Sequence, residues 1–214
     1  MRLRRFLTTE PIIYPFLYDT TIALKIRIRY INRVTGTRFI HWTKFDGVRN
    51  IPKSINTDIR GSFARFDVDK GTLNEGSMWS IGTSLNQKSE TFRGIHFQEE
   101  PYAQSKVVWV SLGKLIDVMV DLRSDSSTFL NWSLVELSSE SPALFLPRGF
   151  GHAYLTLTKL TLVNYAFDKP FVPSSARRIN ILDPYLQIKL PRRISRISQL
   201  DKKAPFLSSY FNWP

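Results

Sequence analysis

The sequence predicts an all-β fold: a sandwich or barrel of short strands, with a short helical segment near the C-terminal end and an extension at the N-terminal end. Three observations carry this reading. Apolar residues recur with period two, as on a strand with one buried face. Turn signals interrupt them at short intervals, at Gly61, Gly71, Gly76, Gly113, Pro147–Gly149 and 170–175. Helix signals are confined to the C-terminal end, where Ser198 stands three residues before Asp201, a cap followed by an acidic first turn.

The elements follow in chain order. Ile22, Leu24, Ile26, Ile28 and Tyr30 alternate with Ala23, Lys25, Arg27 and Arg29, which reads as a strand with one basic, wet face. Lys106–Leu112 is rich in Val and ends at Gly113. Ile116, Val118, Val120 and Leu122 alternate with Leu115, Asp117, Met119 and Asp121, the pattern of a half-buried strand. Further strands are expected at Trp132–Leu137, Ala143–Leu146, Ala153–Tyr165 and Leu186–Leu190. No repeat or low-complexity linker divides the chain. The expected organisation is a basic extension over residues 1–42, which is either a true arm or upstream sequence read from an early start codon, and one β domain over 43–214.

Composition bounds the function. The 214 residues are 43% hydrophobic, enough to bury a full core. Cysteine is absent, which removes disulfides, thiolate metal sites and cysteine nucleophiles together and fits a reducing cytoplasm. No apolar run approaches the ~20 residues that span a bilayer, so no membrane role is expected. The formal charge is +12, and half of the excess lies in residues 1–40, with eight basic residues against Glu10 and Asp19. Such an arm suits nucleic acid, anionic lipid or plain solvation. It carries no aromatic platform or nucleic-acid motif, so nucleic acid is not the expected partner.

The chemistry must come from few residues. Of the three histidines, His41, His96 and His152, His96 lies in RGIHFQ (93–98). A metal-binding His-x-His would need a second imidazole where Gln98 stands, and an amide oxygen is a poor ligand for the metals imidazole favours. No metal and no cofactor are expected. No zinc-protease, P-loop or dinucleotide motif occurs.

RGIHFQ, then PYAQSK (101–106), GKLIDVMVDLRSDSSTFLNW (113–132), LPRGFGHAYLTL (146–157), Tyr165, LDP (182–184) and SQLDKKAP (198–205) form an ordered series. Upstream, TKFDGVRNIPKSINTDIRGSF (43–63) matches an opening strand and an Asp-Arg-Gly turn. Together they resemble the dTDP-4-dehydrorhamnose 3,5-epimerase family. The resemblance implies a cupin jelly roll and a homodimer in which the N-terminal strand joins the partner's sheet. It also implies an isomerase of dTDP-rhamnose, deoxysugar and O-antigen lipopolysaccharide biosynthesis, acting on a dTDP-linked 4-keto-6-deoxy sugar. The reaction takes a proton from the carbon beside the keto group and returns one from the opposite face at C3, C5 or both.

The resemblance makes His96 the base, since an imidazole takes and returns protons at physiological pH. Asp201 would orient it, Lys106 would stabilise the enolate oxygen, and Tyr165, thirteen residues after His152, would be the acid on the other face. Arg93, Gln98, His152, Arg60 and Phe63 would bind substrate, Arg93 through a bidentate fork on the diphosphate. Residue types alone leave other readings open: Asp201 as a first-turn helix carboxylate, Lys106 as a solvated strand lysine, Tyr165 as a strand aromatic, His152 as part of a core turn. The chain departs from the family pattern at Arg65, where a glutamate is usual, at Gly82, near a usual asparagine, and at Ala166, where a lysine usually follows the tyrosine. These departures leave a second reading, a non-catalytic or altered-specificity nucleotide-sugar-binding relative.

Overall fold

The computed structural model describes residues 30–31, 38–41, 43–51, 53–58, 61–66 and 80–210. The strand expected over residues 22–30 lies, apart from Tyr30, outside the described residues. In chain order the strands are β1 (Tyr30–Ile31), β2 (Arg38–His41), β3 (Arg49–Ile51), β4 (Lys53–Asp58), β5 (Gly61–Phe66), β6 (Ser80–Asn86), β7 (Thr91–Gln98) and β8 (Lys106–Leu112). They continue as β9 (Lys114–Asp121), β10 (Trp132–Ser138), β11 (Ala143–Leu146), β12 (Phe150–Thr156), β13 (Thr161–Phe167), β14 (Ala176–Arg178) and β15 (Arg196–Ile197). One helix, α1 (Gln199–Lys202), follows, capped as the sequence predicts: the Asp201 N–H donates to Ser198 Oγ at 3.0 Å.

Two sheets form a jelly-roll sandwich. The larger has the order β1-β2-β10-β9-β12-β7-β14, with β15 added parallel to β7, and the smaller the order β3-β11-β8-β13-β6. A separate hairpin pairs β4 with β5. Between the sheets lies one core, built from Val108, Val110, Leu144, Leu146 and Val163 of the smaller sheet and Leu115, Met119, Val135, Leu137 and Tyr154 of the larger. The other face of the larger sheet is also buried. There Phe92, Ile95, Ile116, Val118, Val120, Leu134, Ala153 and Leu155 are covered by Ile179, Ile181, Leu186 and Leu207 of the C-terminal segment.

That second layer corrects one expectation. The alternation in β9 looks half-buried, yet every residue from Leu115 to Asp121 is buried, because the C-terminal segment covers the face that would otherwise meet water. The segment is fastened by polar groups. The Trp132 indole donates to the Leu186 carbonyl at 2.7 Å, and buried Asp183 accepts from the backbone N–H of Leu207 at 2.7 Å and Tyr185 at 2.9 Å. Two further expectations are corrected. Residues 153–165 form two strands, because Leu-Thr-Leu-Thr-Lys-Leu continues the alternation through a turn that carries no Gly, Pro, Asn or Asp. Leu186–Leu190 is not a strand; Leu186 instead packs on the larger sheet as part of its cover.

Strand β7 is bent to fit. Gly94 has φ +124°, and a Cβ there would lie 2.3 Å from Ala153 Cβ and 2.7 Å from the His152 carbonyl oxygen. The pairing of β7 with β12 shifts register at this point. Gly94→Ala should therefore destabilise the fold by about 2–4 kcal/mol in urea denaturation, since neither neighbouring backbone can yield cheaply; a loss below about 1 kcal/mol would refute this account of the bend.

Candidate functional site

Residues of both sheets line a cavity of about 470 Å³. From the larger sheet, β7 contributes Arg93, His96 and Gln98, and β12 contributes His152 and Tyr154. From the smaller sheet come Lys106 at the start of β8 and Tyr165 and Phe167 of β13. His96 and His152 are direct cross-strand partners.

His96 is the more open of the two, its side chain 43% exposed. Its Nε2 is hydrogen-bonded to Asp201 Oδ1 at 2.7 Å, across 105 residues of chain. Asp201 is buried beneath it on α1. Burial pushes its carboxyl up, but the His96 bond and charge, Ser198 and the Gly94 N–H outweigh this and hold it below the usual aspartate range. Asp201 is thus both a first-turn carboxylate and the partner of His96; the two readings describe one residue.

Lys106 is buried, and its Nζ donates to the His96 carbonyl at 3.2 Å. Loss of water lowers its ammonium to about 8, and the nearby Asp117 carboxylate opposes that fall. A solvated-lysine reading is excluded by this burial. Asp117 also holds His152, Nε2 to Oδ2 at 2.7 Å, with both side chains buried. Asp117 Oδ1 has no hydrogen-bond partner among the described residues.

Tyr165 stacks on Phe167 with ring centroids 5.6 Å apart and meets His152 edge to face at 6.1 Å. Burial, then the neighbouring Tyr154 and Asp117, drive its phenol well above its ordinary range, against a smaller opposing effect of Arg93. It therefore stays protonated through neutral pH. Arg93 is steadied by Asn86, which accepts from its Nε at 3.0 Å, and Asn86 in turn donates to the Tyr154 hydroxyl at 3.1 Å.

Gln98 also lines the cavity, but its amide is committed to the wall. Nε2 donates to the carbonyls of Tyr102 and Pro170, and Oε1 accepts from the Val172 N–H at 2.6 Å. Arg60 lies outside the described residues, and Phe63 lies on β5, of whose side chains nothing is described. Gly82 is opposite Tyr165 in the β6–β13 pairing, where a side chain would meet the Phe167 ring at 3.5 Å. Sequence reasoning did not assign Asp117 a role in the site, although a carboxylate inside the apolar run LIDVMV is itself a signal of a buried polar partner. Among the described residues no three or more His, Asp or Glu side chains group as metal ligands would.

The profile of the dTDP-4-dehydrorhamnose 3,5-epimerase family matches residues 42–209. The chain belongs to that family. It is 36% identical over 163 residues to the dTDP-4-dehydrorhamnose 3,5-epimerase of Methanothermobacter thermautotrophicus, covering 72% of this chain and 84% of that protein. To the enzyme of the same name from Sinorhizobium fredii it is 38% identical over 126 residues, 58% of this chain and 65% of the relative, slightly under two thirds of its length. Among solved structures of the family, that of the Bacillus anthracis dTDP-4-dehydrorhamnose 3,5-epimerase with TDP and PPi bound superimposes with a TM-score of 0.71 at 32% identity, covering 78% of this chain and 97% of that one. A 3′-monoepimerase from Streptomyces bikiniensis, in complex with dTDP-quinovose, gives 0.68 at 28% identity, covering 76% and 84%.

The lowered Lys106 has a consequence for stability. Between pH 8 and 10.5 the unfolded chain holds this proton and the folded chain does not, so the Lys106 contribution to stability rises with pH across that window. The change is on the order of 3 kcal/mol. Urea denaturation of wild type and Lys106→Met at pH 7.5 and 10 should show the variant relatively more stable at the lower pH; equal differences at both pH values would count against the buried ammonium.

Proposed function

We propose that this chain is a working epimerase of a dTDP-linked 4-keto-6-deoxy sugar, acting in the cytoplasm in deoxysugar biosynthesis. The observation that carries the proposal is the convergence of His96, held from behind by Asp201, with Lys106 and Tyr165 in one cavity, the base on one sheet and the other two groups on the facing sheet. Relatives whose solved structures hold dTDP-quinovose and dTDP-4-keto-L-rhamnose support the substrate class.

The chemistry follows from the geometry. Asp201 holds His96 Nε2, and Nδ1 of the same ring has no protein partner among the described residues, leaving it to take the proton from the carbon beside the keto group. The electron pair moves onto the keto oxygen, where the Lys106 ammonium offsets the developing charge. Tyr165 then gives its phenolic proton to the same carbon from the opposite face, and the enolate returns to a ketone with inverted configuration. Tyr165 suits the donor role because its phenol stays protonated at neutral pH. Arg93 and His152 seat the sugar diphosphate, and the family resemblance adds Arg60 and Phe63 to the substrate-binding set. The intact set of acid, base and cation favours turnover over the non-catalytic reading that Arg65, Gly82 and Ala166 raise.

Incubation with dTDP-4-keto-6-deoxyglucose in heavy water, followed by NMR, should show deuterium entering at C3, C5 or both. His96→Ala should lower that exchange, and Tyr165→Phe the accompanying inversion of configuration, by about 10²–10⁴-fold each while leaving dTDP binding within a few fold. Full exchange in His96→Ala with full inversion in Tyr165→Phe, or no exchange in the wild type despite binding, would sink the catalytic reading.

The molecule is also proposed to be a homodimer. Among the described residues β6 is an unpaired edge of the smaller sheet, with Ile81 76% and Leu85 55% exposed, and such an edge is normally covered. Light scattering should give twice the chain mass; a monomer at micromolar concentration overturns this.

A further inference from the structure

Arg178 stands beside the His96–Asp201 pair and takes no part in the mechanism above. It lies on β14 as the cross-strand partner of His96. It lines the main cavity and also a second one, of about 370 Å³, whose wall includes Arg93, His96, Ser198 and Asp201. Its Nε is 3.3 Å from Asp201 Oδ1, the same oxygen that holds His96 at 2.7 Å. The contact is charge against charge: Nε is buried and makes no hydrogen bond among the described residues. The neighbouring Arg177, by contrast, is committed to Glu99 at 2.6 Å and to the carbonyls of Ser174 and Ala176.

The other oxygen of Asp201 has a weaker hold. Oδ2 receives the Gly94 N–H at 3.5 Å, a length at which a hydrogen bond contributes little orientation. The helix that carries Asp201 is a single turn of four residues. Apart from His96 itself, the nearest charged restraint on this buried carboxylate is therefore Arg178. A buried guanidinium N–H left without a hydrogen bond is costly, and such costs persist where function requires the placement.

We propose that Arg178 is a positioning residue for the reaction: its guanidinium fixes the Asp201 carboxylate so that Oδ1 is presented to His96 in one orientation, and it acts on catalysis through that carboxylate. This rests on the reading of His96 as the base. It distinguishes Arg178 from a substrate anchor, which would act through ligand affinity, and from a packing residue, which would act through stability.

The test is a double-mutant cycle read by deuterium exchange. Arg178→Met should lower kcat about tenfold with KM within twofold, as a small misplacement of a catalytic group does. Arg178→Lys should recover part of the loss, since it keeps the charge without the planar fork. In an Asp201→Asn background, adding Arg178→Met should cost less than twofold further. An equal tenfold loss in that background, a rise in KM with kcat intact, or a wild-type rate in Arg178→Met would each overturn the proposal. Should circular dichroism show that Arg178→Met is unfolded, the cycle is run with Arg178→Lys, whose loss must likewise vanish in the Asp201→Asn background. A second readout is independent of turnover. The ¹⁵N shifts of the His96 ring should move toward mixed tautomers in Arg178→Met, and unchanged shifts reject the proposal even if the wild type proves unable to exchange.

Discussion

His96 and Asp201 meet at 2.7 Å although 105 residues separate them, and most of the fold's less obvious features serve that meeting. The histidine must face the cavity while its partner approaches from below the sheet. Strand β7 achieves this with a bend at Gly94, where the backbone comes too close to β12 to admit a side chain. The C-terminal segment then needs a fixed route across the outer face of the sheet. Ile179, Ile181, Leu186 and Leu207 supply the adhesion, and Asp183 and the Trp132 indole set the path. The cover stabilises the sheet and delivers a carboxylate in the same act.

Across the cavity the controlling quantity is water. Lys106, Asp117 and His152 are all buried, so the Asp117 carboxylate acts on the Lys106 ammonium with little screening. Burial favours the neutral form of the lysine; Asp117 works against that and also holds His152. The same exclusion of water keeps the Tyr165 phenol protonated. One physical cause thus makes Lys106 easier to deprotonate and Tyr165 harder.

Much of this was legible in the sequence, and the failures have identifiable causes. Strand periodicity located Lys106–Leu112, Trp132–Leu137 and Ala143–Leu146 because each is bounded by turn residues or polar ends. It ran two strands together at 153–165 because threonine and leucine alternate as well in that turn as in a strand. It judged β9 half-buried because alternation reports the two faces of a strand and says nothing of a second layer laid over one of them. The ordered motifs brought His96, Lys106, Tyr165 and Asp201 to one site, which no single spacing could have done. Asp117 and Arg178 escaped because their importance depends on what lies across the sheet. Gln98 was legible as a cavity residue, but its commitment to the backbone of the 102 and 170–172 loops was not.

The order in which the chain is made gives the Asp201 contact a temporal meaning. His96, Lys106 and Tyr165 are all synthesised before Arg178 and Asp201, so the base lacks its carboxylate until the segment that follows the last long strand has been made. The outer face of the large sheet stays uncovered over the same interval. A nascent chain would therefore hold a recognisable cavity before it held a competent dyad, and competence would arrive together with the closing of the core. Activity in such a protein is a report that the segment carrying Asp201 has docked.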